Sequence, residues 1–192
     1  MIYLPQLLSS GLIRVRVSPA DKRSLLEEMS ALLALAMPVA EGETLDKDAI
    51  FEAVWAQEQR RVSALGQGGA VPHARIEGLA APAACLATLT HGLNFDAVDD
   101  EPVTIVCLLL APLEDPSTTL KILAEVATLL SDPVQRAAVE AADDPVAIHD
   151  LLRNLHTGEE RTLRARNIMR RPFYQIYPET PLTEVTRLLA QH

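Results

Sequence analysis

The chain has 192 residues, of which 48% are apolar and 22% charged, and its formal net charge is -9. That is enough apolar material for one well-buried core with a small appendage, and it excludes a disordered tail. The acidic balance, with no basic stripe, excludes a general nucleic-acid binder, because a phosphate backbone rewards Lys and Arg in excess.

From the N-terminus, residues 1–10 lack the positive start, apolar stretch and small-residue cleavage site of a secretory leader, so a cytoplasmic location is expected. Leu12 to Val17 alternate apolar and basic residues, as a half-exposed strand does. Asp21 caps a helix predicted over 22–36. A second amphipathic helix is predicted over 46–63, with Ile50, Phe51, Val54 and Trp55 on its buried side. It runs into Gly66-Gln67-Gly68-Gly69, a flexible loop that leads to Ala70-Val71-Pro72-His73. Pro72 must end the short apolar stretch or place it at a sheet edge, which puts His73 on a shaped surface loop.

Residues 83–90 and 103–110 read as buried strands of one sheet, joined by an acidic turn over 96–101. The apolar run 103–113 is interrupted by Thr104 and Pro112 and falls short of the roughly 20 residues a membrane helix needs. Ser117 or Thr118 caps a helix running to Leu130, and Asp132-Pro133 and Asp144-Pro145 each start another. This pattern supports a layered α/β domain with helices on both faces of one sheet. The predicted core is Ile13, Leu26, Val54, Leu86, Leu89, Ile105, Val106 and Leu123. Cys85 and Cys107 are too few and too far apart for a zinc framework and are expected as buried thiols. No histidine pair has the i, i+4 spacing of a helical metal site, so neither a metal nor a cofactor is expected.

The stretch Gly68-Gly69-Ala70-Val71-Pro72-His73-Ala74-Arg75 resembles the active-site signature of IIA domains of the mannitol/fructose/nitrogen class of the bacterial phosphotransferase system. Asn94 to Val103 resembles that family's strand-turn-strand segment, in the expected order. The resemblance implies a three-layer α/β/α sandwich with a mixed sheet, spanning residues 1–155, and phosphorylation of His73. A neutral imidazole has one lone-pair nitrogen able to attack a phosphoryl group. What the protein must add is ring orientation and donors for the phosphoryl oxygens. Arg75 is placed to attract the phosphate or an acidic partner edge. Gln67, Gly68 and Gly69 would bring backbone N–H groups close.

Departures from the family are specific. Its usual arginine sixteen positions before the active histidine is Gln57 here. Arg60 is the nearest substitute with Arg61, both expected to project from a different face of the helix. The glycine loop has Gln67 where the family commonly has asparagine. The second active-site histidine corresponds to Lys121, and Thr119 stands two residues before it. A lysine is a point charge without the oriented N–H of an imidazole, while Thr119 could add one hydroxyl donor.

Residues 156–165 are expected to be a linker. Arg166 to Pro172, followed by Pro178 to Val185 and by Leu188 and Leu189, resembles the first half of a CBS motif, so 166–192 reads as a partial motif from a larger IIA–CBS protein. An adenosine nucleotide is expected only where a complete CBS pair exists. Two functions follow from the resemblance. One is a phosphocarrier or phosphorylation-controlled regulator, loaded by a histidine-containing carrier such as HPr or its nitrogen-system relative and acting on a target protein rather than on nucleic acid or membrane. The other is a IIA-like binding or sensor module without phosphotransfer.

Overall fold

The computed structural model describes residues 4–37 and 46–157. Residues 156 and 157 of the expected linker close the last helix, and the rest of the linker and the CBS-like segment lie outside the described residues. In chain order the elements are α1 (Leu4–Leu7), a single 3-10 turn (Ser10–Leu12), β1 (Ile13–Val17), α2 (Lys22–Ala36), α3 (Lys47–Arg60), β2 (Ala64–Gly66), β3 (Gly69–Ala70), β4 (His73–Ile76), β5 (Ala83–Leu93), β6 (Val103–Pro112), α4 (Pro116–Ser131), α5 (Pro133–Ala141) and α6 (Pro145–Thr157).

The strands form one mixed sheet in the order β1-β5-β6-β3-β2, with β4 also paired to β6. β1 runs parallel to β5, β5 antiparallel to β6, and β3 and β4 both parallel to β6. Because successive strand residues point to opposite faces, β6 feeds two cores. Val106, Leu108 and Leu110 pack with Leu26, Leu33 and Val54 of α2 and α3. Ile105, Cys107 and Leu109 pack with Leu4, Ile122, Val126, Val139 and Ile148 of the helices on the other face. The expected three-layer α/β/α sandwich is therefore what forms. Seven of the eight predicted core residues are buried. Leu123 is only partly buried, because its position on α4 faces a surface cleft.

Local chemistry explains the boundaries. Asp21 accepts from the Ser24 backbone N–H at 2.7 Å, and the Asp21 N–H donates to the Ser24 hydroxyl at 3.0 Å. This reciprocal pair starts α2 where the sequence places it. α3 ends at Arg60, earlier than predicted, since Arg61 is already extended and the Ser63 carbonyl accepts from Val71 N–H at 3.0 Å. α4 begins at Pro116 and is capped by Asp115, rather than by Ser117 or Thr118, because proline favours the first helical position. Trp55 is only partly buried; it stacks on Phe51 at 6.0 Å, with the Arg23 guanidinium 5.4 Å from its ring. β5 continues to Leu93, three residues past the predicted end of the strand, and includes His91.

The glycine cluster is a hairpin rather than a flexible loop. Its two central residues, Gln67 and Gly68, have φ of 54° and 78°, the left-handed values a type I′ turn requires. Cys85 and Cys107 are fully buried free thiols on opposite faces of the sheet.

Gly92 lies where the β5–β6 register shifts, and a Cβ there would sit 2.5 Å from Pro102 Cβ. Gly92→Ala is expected to destabilise the domain by about 1–3 kcal/mol, the range for forcing atoms into a packed contact, with a lower urea midpoint and an unchanged m-value.

Candidate active site

His73 opens β4, whose register pairs it with Leu109 at the far end of β6. It is not on a loop, as expected from Pro72. Proline has no N–H to give the ladder, yet its carbonyl accepts from Leu109 N–H at 3.0 Å, so the chain passes from β3 through Pro72 into β4 along one edge of β6. The half-buried ring has its Nδ1 3.0 Å from the carbonyl oxygen of Val71. A carbonyl only accepts, so Nδ1 carries the proton and the lone pair of a neutral ring resides on Nε2.

His73 and Arg75 line a cleft of about 560 Å³. One wall comes from α3, where Ala53, Ala56, Gln57, Arg60 and the following Arg61 face inward. Their spacing of three and four residues is that of one helical stripe. Arg60 therefore shares the face of Gln57, and Arg61, the extended residue after α3, also lines the cleft, contrary to the sequence expectation. The opposite wall is α4, contributing Pro116, Thr119, Leu120 and Leu123 at the same spacing.

Of the residues singled out in the sequence, the structure brings together His73, Arg75, Arg60 and Thr119. Lys121 does not line the cleft and is exposed, because it falls between the stripe positions of α4. The Thr119 hydroxyl donates to the Asp115 carbonyl at 3.0 Å, which leaves it lone pairs rather than a proton to offer. Gln67, Gly68 and Gly69 are not at His73. Gly69 pairs with Ile105 and His73 with Leu109, which separates them by about 13 Å along β6.

The hairpin instead ties down its own surroundings. Gln67 N–H donates to Asp99 Oδ2 at 2.6 Å, Arg136 donates to Gln67 Oε1 at 3.0 Å, and the Gly68 carbonyl accepts from Thr104 and Ile105. The bond from Gln67 N–H holds the Asp99 carboxyl below its ordinary range. Sequence reasoning named Arg61 beside Arg60 but missed the two exposed leucines of the cleft, Leu113 and Leu120. The small-and-polar stripe 53, 56, 57, 60 is the signal that could have placed Arg60 on the face of Gln57.

With this geometry in place, the chain matches over residues 6–155 the family described as phosphoenolpyruvate-dependent sugar phosphotransferase system, EIIA 2, and it belongs to that family. Within it, a nitrogen regulatory protein of Pseudomonas aeruginosa is 29% identical over 159 residues, covering 83% of this chain and 100% of the relative. Another nitrogen regulatory protein, from Bradyrhizobium diazoefficiens, is 34% identical over 122 residues, covering 64% of this chain and 80% of the relative. The crystal structure of nitrogen regulatory protein IIA-Ntr from Neisseria meningitidis superposes with a TM-score of 0.71 at 25% identity, covering 78% of this chain and 98% of that one. Among the described residues no helix is long and apolar enough to cross a membrane.

Asp115 holds the N-terminus of α4, the wall that carries Thr119 and Leu120. Hydrogen bonds from Thr118, first through its side chain and then its backbone N–H, and from the Ser117 hydroxyl lower its pKa from 3.8 to about 2. A carboxyl depressed in the folded state adds stability that is complete above its unfolded pKa and lost as pH falls through the folded one. The loss should run from about pH 4 down to about pH 2. Asp115→Asn keeps a capping oxygen but cannot titrate, so its acid-unfolding curve, followed by circular dichroism, should be flatter over that interval.

Proposed function

We propose that His73 is a phosphoryl acceptor and that the protein is a phosphorylation-controlled regulator of the nitrogen type in the cytoplasm. The observation that carries this reading is the Nδ1 contact with Val71, which presents Nε2 as the nucleophile in a cleft flanked by Arg60, Arg61 and Arg75. The Nε2 lone pair attacks phosphorus as the bond from phosphorus to the donor nitrogen breaks, and the donor imidazole keeps the released electron pair. The phosphorylated His73 ring retains its proton on Nδ1, bonded to the Val71 carbonyl. The guanidinium groups neutralise charge on the phosphoryl oxygens, and Gln57 adds amide donors. A histidine-containing phosphocarrier, HPr or its nitrogen-system relative, is the donor this chemistry suits. The nitrogen regulatory names of the relatives support regulation of a target protein over sugar delivery. Residues 1–155 would act as the IIA unit and 156–165 as a linker, with 166–192 the start of a CBS motif that binds an adenosine nucleotide only as part of a complete pair.

The second reading, a binding module without phosphotransfer, is favoured by the neutral Gln57, the exposed Lys121 and the occupied Thr119 hydroxyl. Phosphate uptake separates the two. Incubation with phosphoenolpyruvate and the general phosphotransferase proteins should add one phosphate by intact mass under non-acidic conditions, and His73→Ala should abolish it. Arg60→Gln combined with Arg61→Gln should slow uptake by roughly 10–100-fold, as expected for removing charge-assisted donors. No uptake with a competent donor would establish the binding module.

A further inference from the structure

A second cleft, of about 310 Å³, lies at the opposite end of the sheet from His73 and is lined by Arg16, Thr88, Leu89, Thr90, Thr104 and Glu140. Thr104 and Leu109 are five positions apart on β6, so the two clefts are about 17 Å from each other along the strand. The volume falls at the lower end of the range for small-molecule sites.

Two irregularities in the sheet open this cleft. The β1–β5 register shifts between Arg14 and Val17, and the β5–β6 register shifts between Thr88 and Leu93. The extra residue of the first shift lies in β1, at Arg14 to Val17, and those of the second lie in β5, so both strands depart from regular pairing at neighbouring levels. Arg16 has φ of 51°, and among the described strand residues it is the one non-glycine in that left-handed region. The Arg16 N–H donates to the Thr88 hydroxyl at 2.9 Å, and the Thr90 hydroxyl donates to the Arg16 carbonyl at 2.8 Å. Threonine hydroxyls thus replace the ladder bonds that the bulge removes and fix the arginine at the cleft.

The lining offers complementary groups to a ligand with two opposite charges. The Arg16 guanidinium is paired with Asp143, but both side chains are more than half exposed, so a carboxylate can compete for the arginine as water does. The Thr88 hydroxyl accepts from Arg16, which leaves its proton for an incoming acceptor. Across the cleft, Glu140 Oε1 accepts from the Thr104 hydroxyl at 2.6 Å and its Oε2 is open to a cation.

We infer that this cleft binds a small zwitterion of the α-amino-acid class, with its carboxylate on Arg16 and Thr88 and its ammonium on Glu140.

The test is a nitrogen-15 NMR titration of the full chain with the individual standard amino acids. At least one should give saturable shifts at Arg16, Thr88, Thr104 and Glu140, with the amine and the carboxylic acid derived from it each binding about tenfold more weakly or worse. Two variants preserve the local structure: Arg16→Asn suits a positive φ, and Glu140→Gln keeps an acceptor for Thr104. Both should melt within a few degrees of wild type and bind at least about tenfold more weakly. The inference is overturned by the absence of saturable shifts up to about 10 mM for every amino acid, by wild-type affinity in either variant, or by equal binding of the singly charged analogues.

Discussion

Val103 to Pro112 must be apolar in both directions and must also hydrogen-bond on both edges, and the remaining elements are arranged around that requirement. One face of β6 anchors α2 and α3 and the other anchors α4 to α6. One edge is taken by β5, and the other is shared end to end by β3 and β4. Pro72 sits at the junction of those two short strands, the place where a residue without an N–H disturbs the ladder least. The imidazole next to it is thereby held by a strand buried on both faces. A nucleophile placed this way inherits the rigidity of the sheet rather than the mobility of a loop.

The layer architecture was legible because the signals that carry it are local. Capping residues, proline at first helical positions and strand alternation mark Asp21, Asp132-Pro133, Asp144-Pro145 and β1 without reference to anything distant. His73 stood out through its short signature. The surroundings of His73 were less legible, since they depend on which helical stripe faces which. Arg60 shares the face of Gln57 because α3 remains regular to its end, Arg61 reaches the cleft from the extended residue that follows, and Lys121 misses it by one position along α4. The glycine cluster misled for a different reason. Glycines that would let a backbone approach a phosphate also let a two-residue turn form, and composition does not distinguish these uses.

Charge within the molecule is distributed unevenly. A chain of net charge -9 gathers Arg60, Arg61 and Arg75 at the cleft containing His73. Acidic side chains, meanwhile, serve as ties and caps: Asp99 fixes the hairpin turn, Asp115 starts α4 and Glu58 reaches Lys22 at 3.5 Å from inside the α2–α3 layer. The Glu58 contact is the least complete of these, since its other carboxylate oxygen is buried without a partner. Such an arrangement gives a local positive field around a neutral imidazole without making the whole surface attractive to polyanions.

The two cysteines lie on adjacent central strands yet point into different cores, and burial raises both thiols, Cys107 to about 12. Thiolate, the reactive form, is therefore withheld from solvent as long as the sheet is intact. No cross-link can join the pair without turning a strand over. The thiols thus serve as internal clocks of opening: a maleimide or disulfide reagent reaches either one only when a face of the sheet has parted from its helices. Because each core holds one thiol, the order in which they react reports which helical layer detaches first.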